Sequence, residues 1–497
     1  MKKDVLVIGS ITYNVNERIF TADKVSKQCV MRQCVNDGEK DYFYFEYLNK
    51  LLTDLNSHIR FNYMDIPTAT GKELYEYLIH NNISTGYISN LDNQIEEVKS
   101  AIKNGVKCVV FKLGNFFNAL PLIRGVKAIR RLNKDVKIIV SSLYVYNKYA
   151  TDSIDNYHEM EKVIGADYYV KDISDYDTIY QYVRKFVDKT DQLMGVENDY
   201  DREEMIYCNT SVGCMAKCSF CNFPIRNKEY KCIEKDNLKE KLDMIEKSGK
   251  RYVCFYDDTF NLPINHFIDV CKMMIDNKYT FEWFAYCRLK ELTEDMIILM
   301  KKARCKGVFV GIESANDGLL SNMNKGATRK DFSEKIKLLK DNNLLIFAFL
   351  LVGFPGETKE TVYETIEYLQ DSPIDFFTAN LWYADISTPI YERAAEFGLK
   401  GKDFLWEHNN MNSEVASQYT NLIMNSVTNS TWVPNENFGF QAVVYLLSLG
   451  FELLDIKAIL KNMKKMIKVN SDIDSDVRDS NVLELKNILR KYIDAGE

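Results

Sequence analysis

Short apolar runs alternate with amphipathic helical patterns along most of this chain. That alternation restricts it to an α/β architecture built on parallel sheets. Two series are visible. In the first, strand-like runs at Val5–Ile8, Ile59–Tyr63, Thr85–Ile88, Val106–Phe111, Val136–Val140 and Tyr168–Val170 are separated by helical patterns such as Lys72–His80, Gln94–Lys103, Ala119–Leu132 and Tyr176–Val187. They predict a doubly wound, Rossmann-like sheet over residues 1–187, with any ligand at the carboxyl ends of its strands. Those ends carry Ser10 and Thr12, Gly114 and Asn115, and Ser141 and Ser142. No G-x-G-x-x-G loop follows the first strand, which argues against a nicotinamide cofactor.

A polar, acidic stretch over 188–204 reads as a linker. The second series then runs through strands at Met205–Asn209, Tyr252–Tyr256, Trp283–Cys287, Val308–Ile312, Leu344–Val352 and Phe376–Trp382. Helical patterns lie between them, at Leu238–Lys247, Ile264–Ile275, Thr293–Lys302 and Thr358–Leu369. Residues 205–383 are too few for an eight-unit barrel of roughly 250 residues, so a partial (β/α)6 barrel is expected. Residues 384–497 are less regular and mostly helical, with patterns at Phe440–Leu449 and Leu454–Met463. The lysine-rich run Lys461–Lys468 reads as a solvated helix end, and the charged tail after Asn470 as loosely packed.

The sharpest motif opens the second series. Cys214, Cys218 and Cys221 form a C-x3-C-x2-C run just after the strand Met205–Cys208. A structural zinc ion takes four protein ligands, often as two close pairs. A cubane iron–sulfur cluster also has four irons to ligate. Three thiolates in one short loop leave one iron open for chemistry. The alternative is a zinc site completed by Cys208 or Cys232, or plain buried cysteines.

The 497 residues, 46% hydrophobic, suit two or three cored domains. A net charge of −7 gives no bulk electrostatic case for nucleic acid or an anionic membrane. No apolar run reaches the ~18 residues of a membrane span. The start, Met1–Gly9, reads as a short strand and not a signal peptide. Twelve cysteines without an export signal point to reduced thiols and a cytoplasmic protein.

The cysteine spacing, with the aromatic Phe220 before the third cysteine, resembles that of the radical S-adenosylmethionine (SAM) family. The resemblance implies a [4Fe-4S] cluster on Cys214, Cys218 and Cys221, whose open iron chelates SAM. It also implies the partial barrel. The segment from Gly105–Phe111 to Gly165–Lys171 resembles the cobalamin-binding domain that precedes many such barrels. It lacks the D-x-H-x-x-G motif of domains that donate an axial histidine; the bland alternative is a flavodoxin-like domain without a cofactor. Under the resemblance, Ser10, Thr12, Gly114, Asn115, Ser141 and Ser142 become candidates for cobalamin.

Candidates for SAM follow from the same likeness. Phe220 belongs to the cysteine loop. Asp257 and Asp258 could accept from the SAM ammonium, or one could cap a helix. Arg288 could pair with a carboxylate or form a surface ion pair. Glu313 and Ser314 lie in Val310-Gly-Ile-Glu-Ser314, similar to a G-[IL]-E-S element of cobalamin-type relatives, and a buried glutamate there needs a partner. Val352-Gly-Phe-Pro-Gly-Glu-Thr358 reads as a tight turn lining the SAM side.

Asp385, Thr388, Pro389 and Ile390, followed by Trp406, His408, Met411 and Ser413, resemble the group of the phosphinothricin-type P-methyltransferase. His408 could touch substrate or cap the barrel; a lone histidine is more often structural, and no catalytic role is assigned to it. No catalytic residue is named from the sequence.

The resemblance implies methylation of an unactivated carbon or a phosphinate phosphorus in a natural-product or peptide intermediate, through a 5′-deoxyadenosyl radical and methylcobalamin. The substrate is a small molecule or peptide, and a flavodoxin or ferredoxin supplies electrons. The rivals are a non-methylating rearrangement or cyclisation, and an iron–sulfur sensor without turnover. A methylthiolating enzyme would need three further cluster cysteines, and Cys29, Cys34 and Cys108 do not look like such a set.

Overall fold

The computed structural model describes residues 3–20, 22–62, 69–114, 118–151, 153–173, 175–190, 205–222, 230–436, 438–467 and 475–493. It divides into two compact units, Met1–Ala22 with Asn62–Asp199, and Asp23–Phe61 with Tyr200–Glu497.

The first unit is built on a five-stranded sheet in the spatial order Thr85–Asn90, Val5–Ser10, Cys108–Leu113, Lys137–Ser142, Tyr168–Val170, all parallel. Counted along the chain this is 2-1-3-4-5, the flavodoxin-like doubly wound order. Successive side chains point to opposite faces, and both faces are apolar. Ile8, Val109, Phe111 and Val140 pack with Val98, Val126, Ile129 and Tyr157 on one side. Val7, Val110 and Ile139 pack with Leu74, Leu78, Ile179 and Val183 on the other. The order reverses between Val5–Ser10 and Cys108–Leu113, so the crevice for a ligand lies beyond Ser10 and Leu113.

The second unit holds a seven-stranded sheet. Six strands lie side by side in chain order: Ile206–Cys208, Tyr252–Phe255, Glu282–Cys287, Cys305–Glu313, Leu345–Val352 and Phe376–Leu381. All are parallel, as neighbouring strands joined by helical crossovers must be. The six expected units are present. A short seventh strand, Thr431–Trp432, extends the edge in parallel with Phe376–Leu381. The helix Gly439–Ser448 then packs on the sheet, its Phe440 ring 4.6 Å from Phe349 and 5.2 Å from Phe347.

Three expectations are corrected. The run Ile59–Tyr63 is not a strand over its described residues 59–62. The Asn49 side chain accepts from the Phe61 N–H at 2.8 Å and donates to the Phe61 carbonyl at 3.0 Å. One amide thus takes both backbone groups that a sheet neighbour would have used. Residues Asp23–Phe61 also group with the second unit instead of continuing the first over 1–187. Their helix Tyr44–Asp54 has an apolar face whose partners lie far along the chain. Phe45 stacks on Phe438 at 4.9 Å and meets Tyr445 edge-on at 5.7 Å.

Third, the charged tail is ordered where described. The helix Ser475–Ile493 buries Leu485, Ile488 and Leu489, and Lys491 and Tyr492 bond to Asp455 at 2.9 and 2.6 Å. In the lysine-rich run, burial pushes the Lys464 amine down to about 8, with Lys461 adding repulsion. Its Nζ donates to the Met424 carbonyl, so this lysine is not simply solvated.

Two predictions follow from this packing. Phe45→Ala should lower the unfolding free energy by about 3–5 kcal/mol in a urea titration. Lys112, on the strand Cys108–Leu113, is fully buried, and burial pushes its amine down to about 7 from 10.5. Between those values the unfolded chain binds a proton that the folded chain does not, so stability rises with pH there, by up to about 1.4 kcal/mol per pH unit. Lys112→Met should remove that rise when the two proteins are compared by urea unfolding at pH 7.5 and 9.5.

Candidate functional site

The cysteine loop follows the strand Ile206–Cys208 and lies among the carboxyl-end loops of the other barrel strands. After Thr210, residues Ser211–Val212 pair antiparallel with Lys231–Cys232, and Gly213 turns the chain at φ +99°. Cys214, Cys218 and Cys221 are all in the thiol form, and Cys218 is the most buried of them.

Each neighbouring strand end reaches the loop. From the second, Asp258 accepts the Gly213 N–H at 3.0 Å, and Thr259 Oγ1 lies 3.1 Å from Cys214 Sγ. From the third, Arg288 Nη1 lies 3.5 Å from Cys218 Sγ. Beyond the fourth, Ser219 donates from N and Oγ to the carbonyls of Met323 and Asn322 at 2.8 and 2.9 Å, and Asn324 donates to the Lys217 carbonyl at 2.6 Å. From the fifth, Phe354 meets Phe220 edge-on at 6.2 Å. From the sixth, Ile390 N–H donates to the Ser219 carbonyl at 3.0 Å and Asn222 donates to Asp385.

Asp257 is 1% exposed and committed to the chain itself. It accepts from Thr210 Oγ1 at 2.7 Å, from Thr210 N–H at 3.1 Å and from Ser211 Oγ at 2.6 Å. Burial pushes its carboxyl upward, against those bonds. It therefore braces the entry to the cysteine loop.

Arg288 has a partner at each nitrogen. Besides Cys218, Nη2 donates to the Lys325 carbonyl at 2.6 Å and Nε lies 3.4 Å from Glu291 Oε1. Its main chain is held by Asn261, whose amide side chain both donates to the Arg288 carbonyl at 3.0 Å and accepts its N–H at 2.9 Å.

Glu313 finds the partner its burial demands. Lys325 Nζ sits 2.8 Å from its Oε1, with the two side chains 10% and 11% exposed. The pairing of its strand with Leu345–Val352 shifts register between Gly311 and Glu313, and Glu313 adopts φ +63°. A Cβ at Gly311 would lie 2.1 Å from Glu313 Oε1, so only glycine leaves room for the ion pair. Lys325 Nζ also lies 5.7 Å from the centre of the Phe220 ring. Ser314 is fully buried and bonds to Thr365 and to the Asn316 N–H, so it fastens a helix.

Of the other motif residues, Gly353 turns at φ +91° with the Trp406 ring against it. Its N–H donates to Glu357, a buried carboxyl that desolvation pushes up to about 8. His408 stacks on Trp406 with ring centres 5.5 Å apart, accepts from the Asn410 N–H at 3.3 Å, and is pushed down by burial. Among the described residues no three His, Cys, Asp or Glu side chains are gathered as a single metal ion requires. Cys208 is buried and its thiol faces the Asn209 carbonyl, while Cys232 is exposed beside Tyr230.

In the first unit, Ser10 and Thr12 lie beyond the first strand, beside the switch point. Ser10 Oγ donates to the Ser89 carbonyl at 2.7 Å, and Thr12 Oγ1 lies 3.2 Å from Asn90 Oδ1. A Cβ at Gly114 would meet nothing within 4 Å, so the backbone there borders open space. Asn115 lies outside the described residues. Ser141 and Ser142 are fully buried. Ser141 accepts from Lys112 at 3.2 Å, and Ser142 from the Val145 N–H at 3.2 Å. Both are thus tied into the sheet end.

Phe354 lies in the turn Val352–Thr358 already read from the sequence, whereas Thr259, Glu291 and Asn222 were not singled out by it. Only Thr259 had a local signal, its place directly after the paired aspartates. The Asp385 contact also yields a prediction. Asp385→Ala should speed alkylation of the half-buried Cys221 in the cofactor-free protein several-fold relative to the exposed Cys232, measured by peptide mass spectrometry.

Residues 208–369 match the family profile of the radical SAM superfamily. An uncharacterised methyltransferase of Pyrococcus horikoshii is 30% identical over 169 residues, 34% of this chain and 37% of that protein. The chain thus spans about two fifths of the length of the first curated relatives it matches. Two solved structures of TsrM from Kitasatospora setae, a radical S-adenosylmethionine methyltransferase, share the fold. One, with tryptophan and a SAM analogue bound, covers 98% of this chain and 99% of its own at 13% identity and a TM-score of 0.56. The other, with cobalamin and a [4Fe-4S] cluster, covers 99% and 100% at 14% identity and 0.54. OxsB, a cobalamin-dependent S-adenosylmethionine radical enzyme, covers 86% of this chain and 77% of its own at 14% identity and 0.53. Residues 208–369 are a radical SAM domain, carried in a chain whose fold follows that of cobalamin-dependent radical SAM enzymes of known structure.

Proposed function

We propose that this protein is a cobalamin-dependent radical SAM methyltransferase. The observation that carries the proposal is the loop of three cysteine thiols held at the carboxyl ends of six parallel strands. The donor set fits a [4Fe-4S] cluster. A cubane takes one thiolate per iron, so its ligands need not converge on one point as they would around a single ion. A hydroxyl and a guanidinium also face two of the sulfurs. The first unit fits cobalamin by its strand order and by the open backbone at Gly114.

In this reading Cys214, Cys218 and Cys221 hold the cluster. Phe220, Asp258, Arg288 and the Glu313–Lys325 pair border the SAM pocket, whereas Asp257 and Ser314 act on the framework around it. Ser10, Thr12 and Gly114 border the cobalamin. When bound, these groups supply a SAM-derived radical and a transferable methyl, the chemistry that reaches non-nucleophilic centres. The chain's own part is to position them and exclude water. The substrate is a small natural-product or peptide intermediate, methylated at an unactivated carbon or a phosphinate phosphorus. The tryptophan bound by TsrM supports a small molecule. A flavodoxin or ferredoxin is the proposed electron donor.

The test is an anaerobic preparation reconstituted with iron, sulfide and cobalamin, set beside the Cys214→Ala/Cys218→Ala/Cys221→Ala variant. The wild type should show [4Fe-4S] and cobalamin spectra together, and the variant cobalamin alone. With SAM carrying a deuterated methyl group, product mass should rise by one labelled methyl. A cluster without cobalamin binding would sink the methyltransferase reading.

A further inference from the structure

We infer that Arg288 and Glu291 set the reduction potential of the cluster assigned to Cys214, Cys218 and Cys221. This rests on the cluster reading above and adds to it the residues that govern electron entry. Arg288 Nη1 lies 3.5 Å from the sulfur of Cys218, the most buried of the three thiols. Nη2 is anchored on the Lys325 carbonyl at 2.6 Å, and the main chain of Arg288 is clasped by Asn261. The guanidinium is therefore aimed from several sides, with its side chain 15% exposed, and it is not a loose surface ion pair. On its other side stands Glu291, 25% exposed, with Oε1 3.4 Å from Nε.

The physical consequence is a two-sided control. One-electron reduction by a low-potential donor makes the cluster and its thiolates more negative. A fixed cation at a ligand sulfur stabilises that reduced form more than the oxidised form, and hydrogen bonds to sulfur act the same way. Arginine stays charged at any working pH, so the effect does not depend on its protonation. Glu291 offsets part of the positive charge. Removing the cation should make the cluster harder to reduce, and removing the anion should make it easier.

The experiment is a redox titration of the reconstituted full-length protein, followed by the low-temperature EPR signal of the reduced cluster. Iron content and signal intensity are measured first. Arg288→Gln should move the midpoint to a more negative value, Arg288→Lys should lie between it and the wild type, and Glu291→Gln should move the midpoint the opposite way. Glu291→Gln leaves the contact to Cys218 in place, so a loading defect in the arginine variants does not remove the test. Unchanged midpoints, or shifts of both residues in one direction, overturn the inference while the cluster reading stands. A wild type that takes up no cluster overturns both.

Discussion

The loop from Cys214 to Cys221 has no regular secondary structure of its own. Its conformation is imposed by the strand ends around it. Hydrogen bonds to Asp258, to Asp385 and to the Met323 and Asn322 carbonyls, with one donated by Asn324, take up polar groups that would otherwise stay with water, and each is worth about 0.5–1.5 kcal/mol net. Together they supply the order that a loop rich in rotatable bonds cannot supply itself. The parallel sheet sets the spacing of the strand ends, and the apolar residues behind it hold the sheet.

The Glu313–Lys325 pair shows how the frame tolerates charge. A nearly buried ion pair contributes little net stability, but losing one partner strands the other at a cost of about 3–5 kcal/mol. The glycine at 311 and the left-handed backbone at Glu313 are the local concessions that let the two meet. Lys325 then links the pair to the cysteine loop, because its carbonyl holds Arg288 and its ammonium lies near the Phe220 ring. The motif Asp385–Ile390, read in the sequence as a family likeness, has a mechanical part here as a clasp on Ser219 and Asn222. Trp382, Trp406 and His408 extend the packing behind Phe354, with ring centres 5.2–5.5 Å apart.

The regular elements were legible because their signal is local. A strand such as Leu345–Val352 is a continuous apolar run, and a helix such as Ile264–Asp276 repeats its apolar face within four residues. Elements that pack through distant partners were not legible. The helix Tyr44–Asp54 meets Phe438 and Tyr445 nearly four hundred residues on, and the tail helix Ser475–Ile493 meets Asp455 and Phe451. The false strand at Ile59 had a suitable composition, but Asn49 had already taken the backbone groups it needed.

By itself the sequence determined the two α/β series, the three-thiol spacing and the candidate positions at strand ends, because each depends on residue types a few positions apart. Only the tertiary structure decided what those positions do. It turned Asp257 inward to brace Thr210 and Ser211, buried Ser141 and Ser142 beneath the sheet end, joined Glu313 to Lys325 and aimed Arg288 at Cys218. The reason is geometric. A parallel sheet brings together the ends of strands some thirty to a hundred residues apart, and side chains there bond according to direction and distance, which no spacing along the chain encodes.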